Sequence, residues 1–366
     1  MFDTVSGNPL GAVAARARRL RNSAAEMGPL TLGLVLAQIL LSTLAFVGFL
    51  VQSIWTPTLV VLFLIASGLG WMLRQATTAK VLTFMMTAST LLTLGLIVVF
   101  LVVESIPIVE YAGWGLLAPF GDITWNVSSD EFSLVPMIVG TLLTTAVATL
   151  VAAPLGIAGA LFISEIAPGW VREIVKPGVE VLAGIPSIVY GFVGFTILNP
   201  YVGSLLSVNG GPMVLIGLVI GLMALPTVVS VAEDAITAVP NSMKDGSLAM
   251  GATDWQTMKG ITLPTAISGV SAAVLLGVGR AIGETMAATV MISHSRRLPE
   301  PEVYNAFDST ETLTTLIASS YGNATGDELF FSALFAAGVL LLVVVTGLGI
   351  ASQLIEMRME RKLRGN

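Results

Sequence analysis

The sequence predicts an all-α fold, a polytopic membrane helical bundle of about eight transmembrane helices, and three observations carry that prediction. The mean hydropathy over 366 residues is +0.89. Charged residues make up only 11% of the chain, against roughly 25% in ordinary soluble domains. The apolar residues fall into eight long runs, and the basic residues collect in alternate segments between them. Water cannot solvate that much apolar surface, so a lipid bilayer must.

A helix rises 1.5 Å per residue, so about 20 apolar residues cross ~30 Å of hydrocarbon. The candidate spans are roughly 30–51, 57–73, 81–103, 134–163, 182–206, 212–232, 265–292 and 329–354. The first follows the basic cluster Arg16, Arg18, Arg19 and Arg21. It is longer than the ~7–15 apolar residues of a cleavable signal, so it is expected to stay as an anchor. The second, 57–73, is short, and neither of these two carries an internal charge. The run 134–163 exceeds one crossing and is expected to tilt or to extend beyond the bilayer. The run 182–206 is broken by Gly184, Pro186 and Gly191. Gly217 and Gly221, four apart in the sixth span, suit close helix packing. The seventh span contains Arg280 and Glu284. Composition changes near residue 80. The expected organisation is therefore a basic segment with two helices over 1–80, then one transmembrane domain over 81–366 containing the loop 233–264.

Lysine and arginine set the orientation of such a chain. With the N-terminus inside, the inside segments hold Arg16, Arg18, Arg19, Arg21, Arg74, Lys80, Arg172, Lys176, Lys244, Lys259, Arg358, Arg361, Lys362 and Arg364, which is 14 of the 17 basic residues. The outside loops hold Arg296 and Arg297, and Arg280 lies within a span. One span more or fewer destroys this split, so both termini are expected in the cytoplasm. The outside face is acidic: Glu104, Glu110, Asp122, Asp130 and Glu131 occupy loop 104–133 without a basic residue. Such a face does not concentrate a free anion, so an anionic substrate would have to be delivered by a docked partner.

Several classes are excluded. With no cysteine there is no disulfide, thiolate catalysis or Cys-based metal site. The single histidine, His294, argues against a His-based metal centre or proton relay. Beside Arg296 and Arg297 at a span end, it reads as an interfacial surface residue. No G-x-x-x-x-G-K-[ST] sequence is present, so the chain holds no P-loop nucleotide site. No cofactor, metal or nucleic-acid partner is expected.

The longest inside loop reads EDAITAVPNSMKDGSLAMGATDWQTMKGITLP over 233–264. Pro240-Asn241-Ser242 looks like a turn and helix cap. Gly251-Ala252-Thr253 breaks the short helix that follows, a second runs from Asp254 to about Lys259, and Pro264 opens the next span. Two short helices around a glycine make a compact projection that another protein can grip. Asp245-Gly246-Ser247, three residues, Gly251, nine residues, then Ile261-Thr262-Leu263-Pro264 resembles the E-A-A, G, I-x-L-P loop of ABC importer permeases. The spacing matches throughout. Asp-Gly-Ser replaces Glu-Ala-Ala, which keeps a carboxylate one methylene shorter, and Gly246 weakens a helix by up to ~1 kcal/mol relative to alanine. The resemblance implies that Asp245, Gly246, Ser247, Gly251, Ala252, Ile261, Leu263 and Pro264 form a coupling element seated in a cleft of an ATPase subunit.

Further stretches resemble the phosphate branch of that family, and its C-type permease subunit in particular. They are Leu134-Val135-Pro136 with Gly140-Thr141-Leu142, Ser164-Glu165-Ile166-Ala167-Pro168-Gly169-Trp170, and Leu182-Ala183-Gly184-Ile185-Pro186-Ser187-Ile188-Val189-Tyr190-Gly191. The most specific is Gly279-Arg280-Ala281-Ile282-Gly283-Glu284-Thr285-Met286-Ala287, because the paired A-type subunit usually continues Thr-Ala-Pro. The resemblance covers about 100–355. It implies a six-helix type I importer core with two added N-terminal helices, in a prokaryotic cell membrane. The implied partners are a second, A-type permease, two ATP-binding subunits and an extracytoplasmic phosphate-binding protein, with phosphate as substrate. Another oxyanion such as sulfate or molybdate is the alternative substrate. An ion-coupled secondary transporter would need more intramembrane carboxylates than Glu284 alone.

The candidate path residues are Arg280, Glu284, Thr285, Ser187 and Pro186. A charge at mid-bilayer costs ~2.5–3.5 kcal/mol on insertion scales, so Arg280 is not expected to face lipid. Its planar fork of five donors suits phosphate oxygens. Glu284, four residues on, is expected one turn away on the same face as its ion-pair partner. One reading has Arg280 exchange that carboxylate for phosphate; the other makes the pair a static scaffold. Pro186 kinks its helix. The kink either aims a helix end and the Ser187 hydroxyl at an anion or serves packing alone.

Overall fold

The computed structural model describes residues 28–118, 125–206 and 210–363. The basic cluster Arg16 to Arg21, Asp122 and Arg364 lie outside the described residues. The described chain forms two compact units, one up to Val98 and one from Val99. Helix α1 spans Pro29–Leu50 and α2 Thr56–Glu104. Helix α3 (Ile106–Ala112) leads to a hairpin of β1 (Trp125–Asn126) and β2 (Glu131–Phe132), the only strands among the described residues. Helix α4 is Val135–Leu161, α5 Gly169–Gly184, α6 Ser187–Val193, α7 Asn199–Leu206 and α8 Met213–Thr237. Then come α9 (Asn241–Ala249), α10 (Asp254–Thr257), α11 (Leu263–Gly283), α12 (Met286–Met291), α13 (Leu313–Ser320) and α14 (Glu328–Leu363).

Among the described residues, seven helical stretches are long and apolar enough to cross a membrane. The second, Thr56–Leu117, contains two of the expected spans. Its backbone leaves the helical region at Arg74 (φ −149°, ψ 63°). A β-carbon on Gly70 would lie 2.6 Å from Thr78 Oγ1, whereas eight residues of straight helix separate two Cα atoms by about 12 Å. The chain therefore turns back at Arg74, and 57–73 and 81–103 are separate runs. Gln38 of α1 is buried at the same contact and donates to the Ala66 carbonyl at 3.4 Å.

The second unit is built around α8, whose buried residues run from Met213 to Ile236 while Leu218 and Leu222 stay exposed. Its glycines admit α4: a β-carbon on Gly221 would stand 2.9 Å from the Ala148 carbonyl oxygen, and one on Gly217 2.9 Å from that of Thr144. The expected packing role of these two glycines holds for that reason. At one end Ile108, Leu134, Met137, Leu313, Leu316 and Phe330 share a core. At the other end, Ala160, Val228, Ile236, Ala266 and Val270 do.

Two expected spans are not continuous helices. The run 182–206 is cut where α5 ends at Gly184, and Ile185 and Pro186 are extended (ψ 127° and 134°). The membrane-length stretch begins at Ser187. Pro186 lacks an N–H and cannot continue a helix, yet its fixed φ can open one. Gly191 is no break; it lies inside α6. The run 265–292 is cut as well: α11 ends at Gly283, Glu284 is extended (φ −68°, ψ 120°), and α12 begins at Met286.

Candidate functional site

The two interrupted helices lie side by side. A β-carbon on Gly191 of α6 would stand 2.7 Å from the Ala287 Cα of α12, so the glycine is what lets these backbones meet. Pro186 and Ser187 open α6 and Thr285 precedes α12, which places both breaks in one part of the bundle. The Ser187 hydroxyl has no hydrogen-bond partner among the described residues.

Arg280 occupies the last turn of α11 and is partly buried. Its Nη1 donates to the Thr227 hydroxyl of α8 at 2.8 Å. The expected pairing with Glu284 does not form. The helix stops between the two, so the four-residue spacing no longer places them on one face. The Glu284 carboxylate turns the other way: Oε1 accepts the Ala287 N–H at 3.1 Å and caps α12. Its main-chain carbonyl accepts the Thr314 hydroxyl of α13 at 3.1 Å. Thr285 donates to the Gly283 carbonyl at 3.1 Å. Among the described residues no carboxylate comes within ion-pair distance of Arg280. Four of its five donors are free of protein partners.

The loop 238–262 holds six of the coupling candidates, and Leu263 and Pro264 are the first residues of α11 directly after it. Helix α9 ends at Ala249, and Gly251 takes the left-handed conformation at φ +89°. Its N–H reaches the Leu248 carbonyl at 2.9 Å, and the Ala252 N–H reaches that of Ser247 at 3.3 Å. That wrap satisfies the carbonyls the helix end leaves open. Thr253 caps α10 through a reciprocal pair with Gln256. The buried Ser247 hydroxyl accepts from Thr257 at 3.0 Å, pinning α9 to α10. Asp245 is exposed, and nothing crowds Gly246. Met250 and Trp255 are 85% and 66% exposed, an apolar surface on a charged loop. Ile261, Leu263 and Pro264 are half-buried. Pro264 does not open the span: helical winding begins at Asp254 and runs through a wide turn at Met258–Thr262 into α11. Five-residue closure there leaves room for the proline ring.

Other polar contacts lie between segments far apart in sequence. Lys176 of α5 meets Glu233 of α8 at 2.7 Å, and that hydrogen bond holds the Lys176 ammonium above its usual range. Lys244 meets Glu165 at 2.6 Å. In the loop 293–312, Glu311 is fully buried and accepts from Arg296 Nε at 2.8 Å and from Ser319 at 2.9 Å. His294 Nδ1 lies 2.7 Å from the same carboxylate. His294 has φ +54° and is 41% exposed; it is a partner of a buried acid, not only an interfacial residue. Burial pushes the neighbouring Asp308 carboxyl up, but N–H donation from Glu300 and Ser309 and the Arg297 charge outweigh it. The net pKa is below the usual carboxylate value.

Membrane-length helices, two of them broken side by side next to an arginine that has no counter-ion among the described residues, and a two-helix loop at one end mark an integral membrane protein. Residues 152–361 match the family described as binding-protein-dependent transport system inner membrane component, and the chain belongs to that family. It is 40% identical over 225 residues to the probable ABC transporter permease protein YqgH of Bacillus subtilis, covering 61% of this chain and 72% of that protein. It is 31% identical over 291 residues to the phosphate transport system permease protein PstC of Haemophilus influenzae, covering 72% of this chain and 90% of that one. The PstC of Mesorhizobium japonicum is 33% identical over 274 residues, covering 68% and 82%. A chain of a bacterial alginate ABC transporter, solved with an alginate pentasaccharide-bound periplasmic protein, shares the fold. Its TM-score is 0.53 at 16% identity, with 80% of this chain and 99% of that one covered.

Proposed function

We propose that the chain is the C-type permease subunit of an ATP-driven importer of inorganic phosphate. The observation that carries the reading is Arg280: a guanidinium within a membrane helix, held by one hydroxyl and facing no carboxylate among the described residues. A permanent cation so placed is costly unless an anion visits it. Its free donors can meet two oxygens of a phosphate in a planar, parallel fork, a geometry that a compact ammonium does not offer. The relatives named as phosphate permeases support the substrate.

On this reading the substrate path runs between this chain and a second, A-type permease. The loop 238–262, with Asp245, Met250 and Trp255 exposed, seats in one of two ATP-binding subunits. An extracytoplasmic phosphate-binding protein delivers substrate to the acidic outer face. Both termini are cytoplasmic, and the chain itself hydrolyses nothing.

Reconstitution tests the reading. The chain with an A-type permease, the ATPase subunits and the binding protein should move phosphate into liposomes only with ATP. Uptake of sulfate or molybdate in its place would overturn the substrate. ATP-independent phosphate uptake by this chain alone would overturn the class.

A further inference from the structure

Lys244 of α9 and Glu165, in the wide turn Phe162–Ile166 that ends α4, are 79 residues apart in sequence and 2.6 Å apart in space. Both side chains are largely withdrawn from solvent, at 16% and 13% exposure. We infer that this ion pair is a strut that transmits displacement of α9 into α4, making Lys244 and Glu165 positioning residues for transport. The inference rests on the proposed function, which makes α9 the element an ATPase moves.

Helix α9 packs on α10 and on the turn Met258–Thr262, and Ser247 ties it to Thr257. Those contacts stay within the loop and lead only into α11. Among the described residues, the polar side-chain contact that leaves the loop from α9 is Lys244 to Glu165. The receiving turn is itself held: Arg172 of α5 donates Nε and Nη2 to the Ile163 and Ser164 carbonyls, each at 2.7 Å. Glu165 therefore sits on a clamped helix end, not on a free tail.

Helix α4 carries the displacement away. From Glu165 to Thr141 it runs about 36 Å at 1.5 Å per residue. At that far end the Thr141 hydroxyl accepts the Leu313 N–H of α13 at 2.9 Å. A β-carbon on Gly140 would collide with the Glu311 backbone. Helix α13 then reaches the break beside Arg280 through Thr314 and the Glu284 carbonyl. A contiguous chain of packed elements thus joins α9 to the break at Glu284 without passing through α11, a route along which displacement can travel between distant sites.

The test is the phosphate moved per ATP hydrolysed by the assembled complex in proteoliposomes, at matched complex content. Lys244→Gln or Glu165→Gln should lower that ratio by about tenfold or more while hydrolysis continues. Glu165→Lys with Lys244→Glu together should restore it to within about threefold. A merely structural pair would lower the yield of complex and leave the ratio alone, so a wild-type ratio in both single variants overturns the inference. A reversed pair that assembles but does not recover overturns it too. If the single variants do not assemble, Glu165→Cys with Lys244→Cys, joined by a short thiol crosslinker, decides; the chain has no cysteine to interfere. A crosslinked complex that keeps the ratio supports the strut, and one that hydrolyses ATP without transport overturns it. If the wild-type complex moves another oxyanion, the substrate reading fails, and the same ratio measured with that oxyanion still judges the strut.

Discussion

Arg280 donates to the Thr227 hydroxyl at 2.8 Å and, among the described residues, has no carboxylate within ion-pair distance. A neutral hydroxyl orients a guanidinium without neutralising it, so the cation is held in place and its charge remains available. A buried ion pair would instead have to be broken before an anion could bind.

The Arg280 contact gives a graded expectation. Arg280→Gln should abolish phosphate uptake, and Arg280→Lys, which keeps charge but loses the fork, should lower it by at least about tenfold. Thr227→Val removes one charge-assisted hydrogen bond, about 1.5–3 kcal/mol in orienting energy, but leaves the guanidinium and its fork, and should reduce uptake less than either. Uptake into vesicles at equal complex content measures all three; wild-type uptake by Arg280→Gln would remove Arg280 from the path.

Glu284 is expected to act as a cap, not as a counter-ion. Glu284→Gln keeps an oxygen for the Ala287 N–H and should transport nearly normally. Glu284→Ala loses the cap, at about 0.5–2 kcal/mol. Combining Arg280→Gln with Glu284→Gln should be no better than Arg280→Gln alone. Recovery in that double variant would mean that the two residues pair during the cycle after all.

Accessibility labelling checks the orientation. Single cysteines introduced at Met250 and Tyr304, 85% and 73% exposed, report on opposite sides in a chain that has none of its own. An impermeant maleimide applied to intact cells should label Tyr304→Cys at once and Met250→Cys only after permeabilisation. The reverse pattern would invert the proposed topology.

Glu311 anchors the loop 293–312. Glu311→Ala leaves Arg296 and His294 facing a vacated site. Because both remain partly exposed, the cost should lie toward the lower end of the ~3–5 kcal/mol for breaking a buried pair. A clear fall in the melting temperature of the solubilised chain is expected, with Glu311→Gln intermediate. An unchanged melting temperature would show that the carboxylate holds nothing.

The spans at 134–163 and 212–232 were legible because their signal is local: enough consecutive apolar residues must form a helix in lipid, where each backbone group has to be satisfied within the segment. The two-helix loop was legible for a similar reason, since Gly251 and the Thr253 cap act within a few residues of themselves. The proline break at 184–187 showed in the residues, but its position relative to α12 did not, because the contact through Gly191 and Ala287 joins segments far apart in the chain. The break at Glu284–Thr285 left no proline to read. Four-residue spacing implied a pair on one helix face, and a helix that stops at Gly283 removes the face on which the argument depended.

The residue pattern alone settled that this is a helical membrane protein, where its apolar runs lie, and which loop resembles a coupling element. These follow from hydrophobicity and short-range backbone chemistry, which any stretch of about twenty residues expresses without its neighbours. The folded chain decided the partners: Thr227 for Arg280, Ala287 for Glu284, Glu165 for Lys244 and Arg296 for Glu311. A charged group in a membrane bundle takes the partner that helix packing brings within about 3 Å, and packing is set by small residues such as Gly191, Gly217 and Gly221 acting between helices distant in sequence.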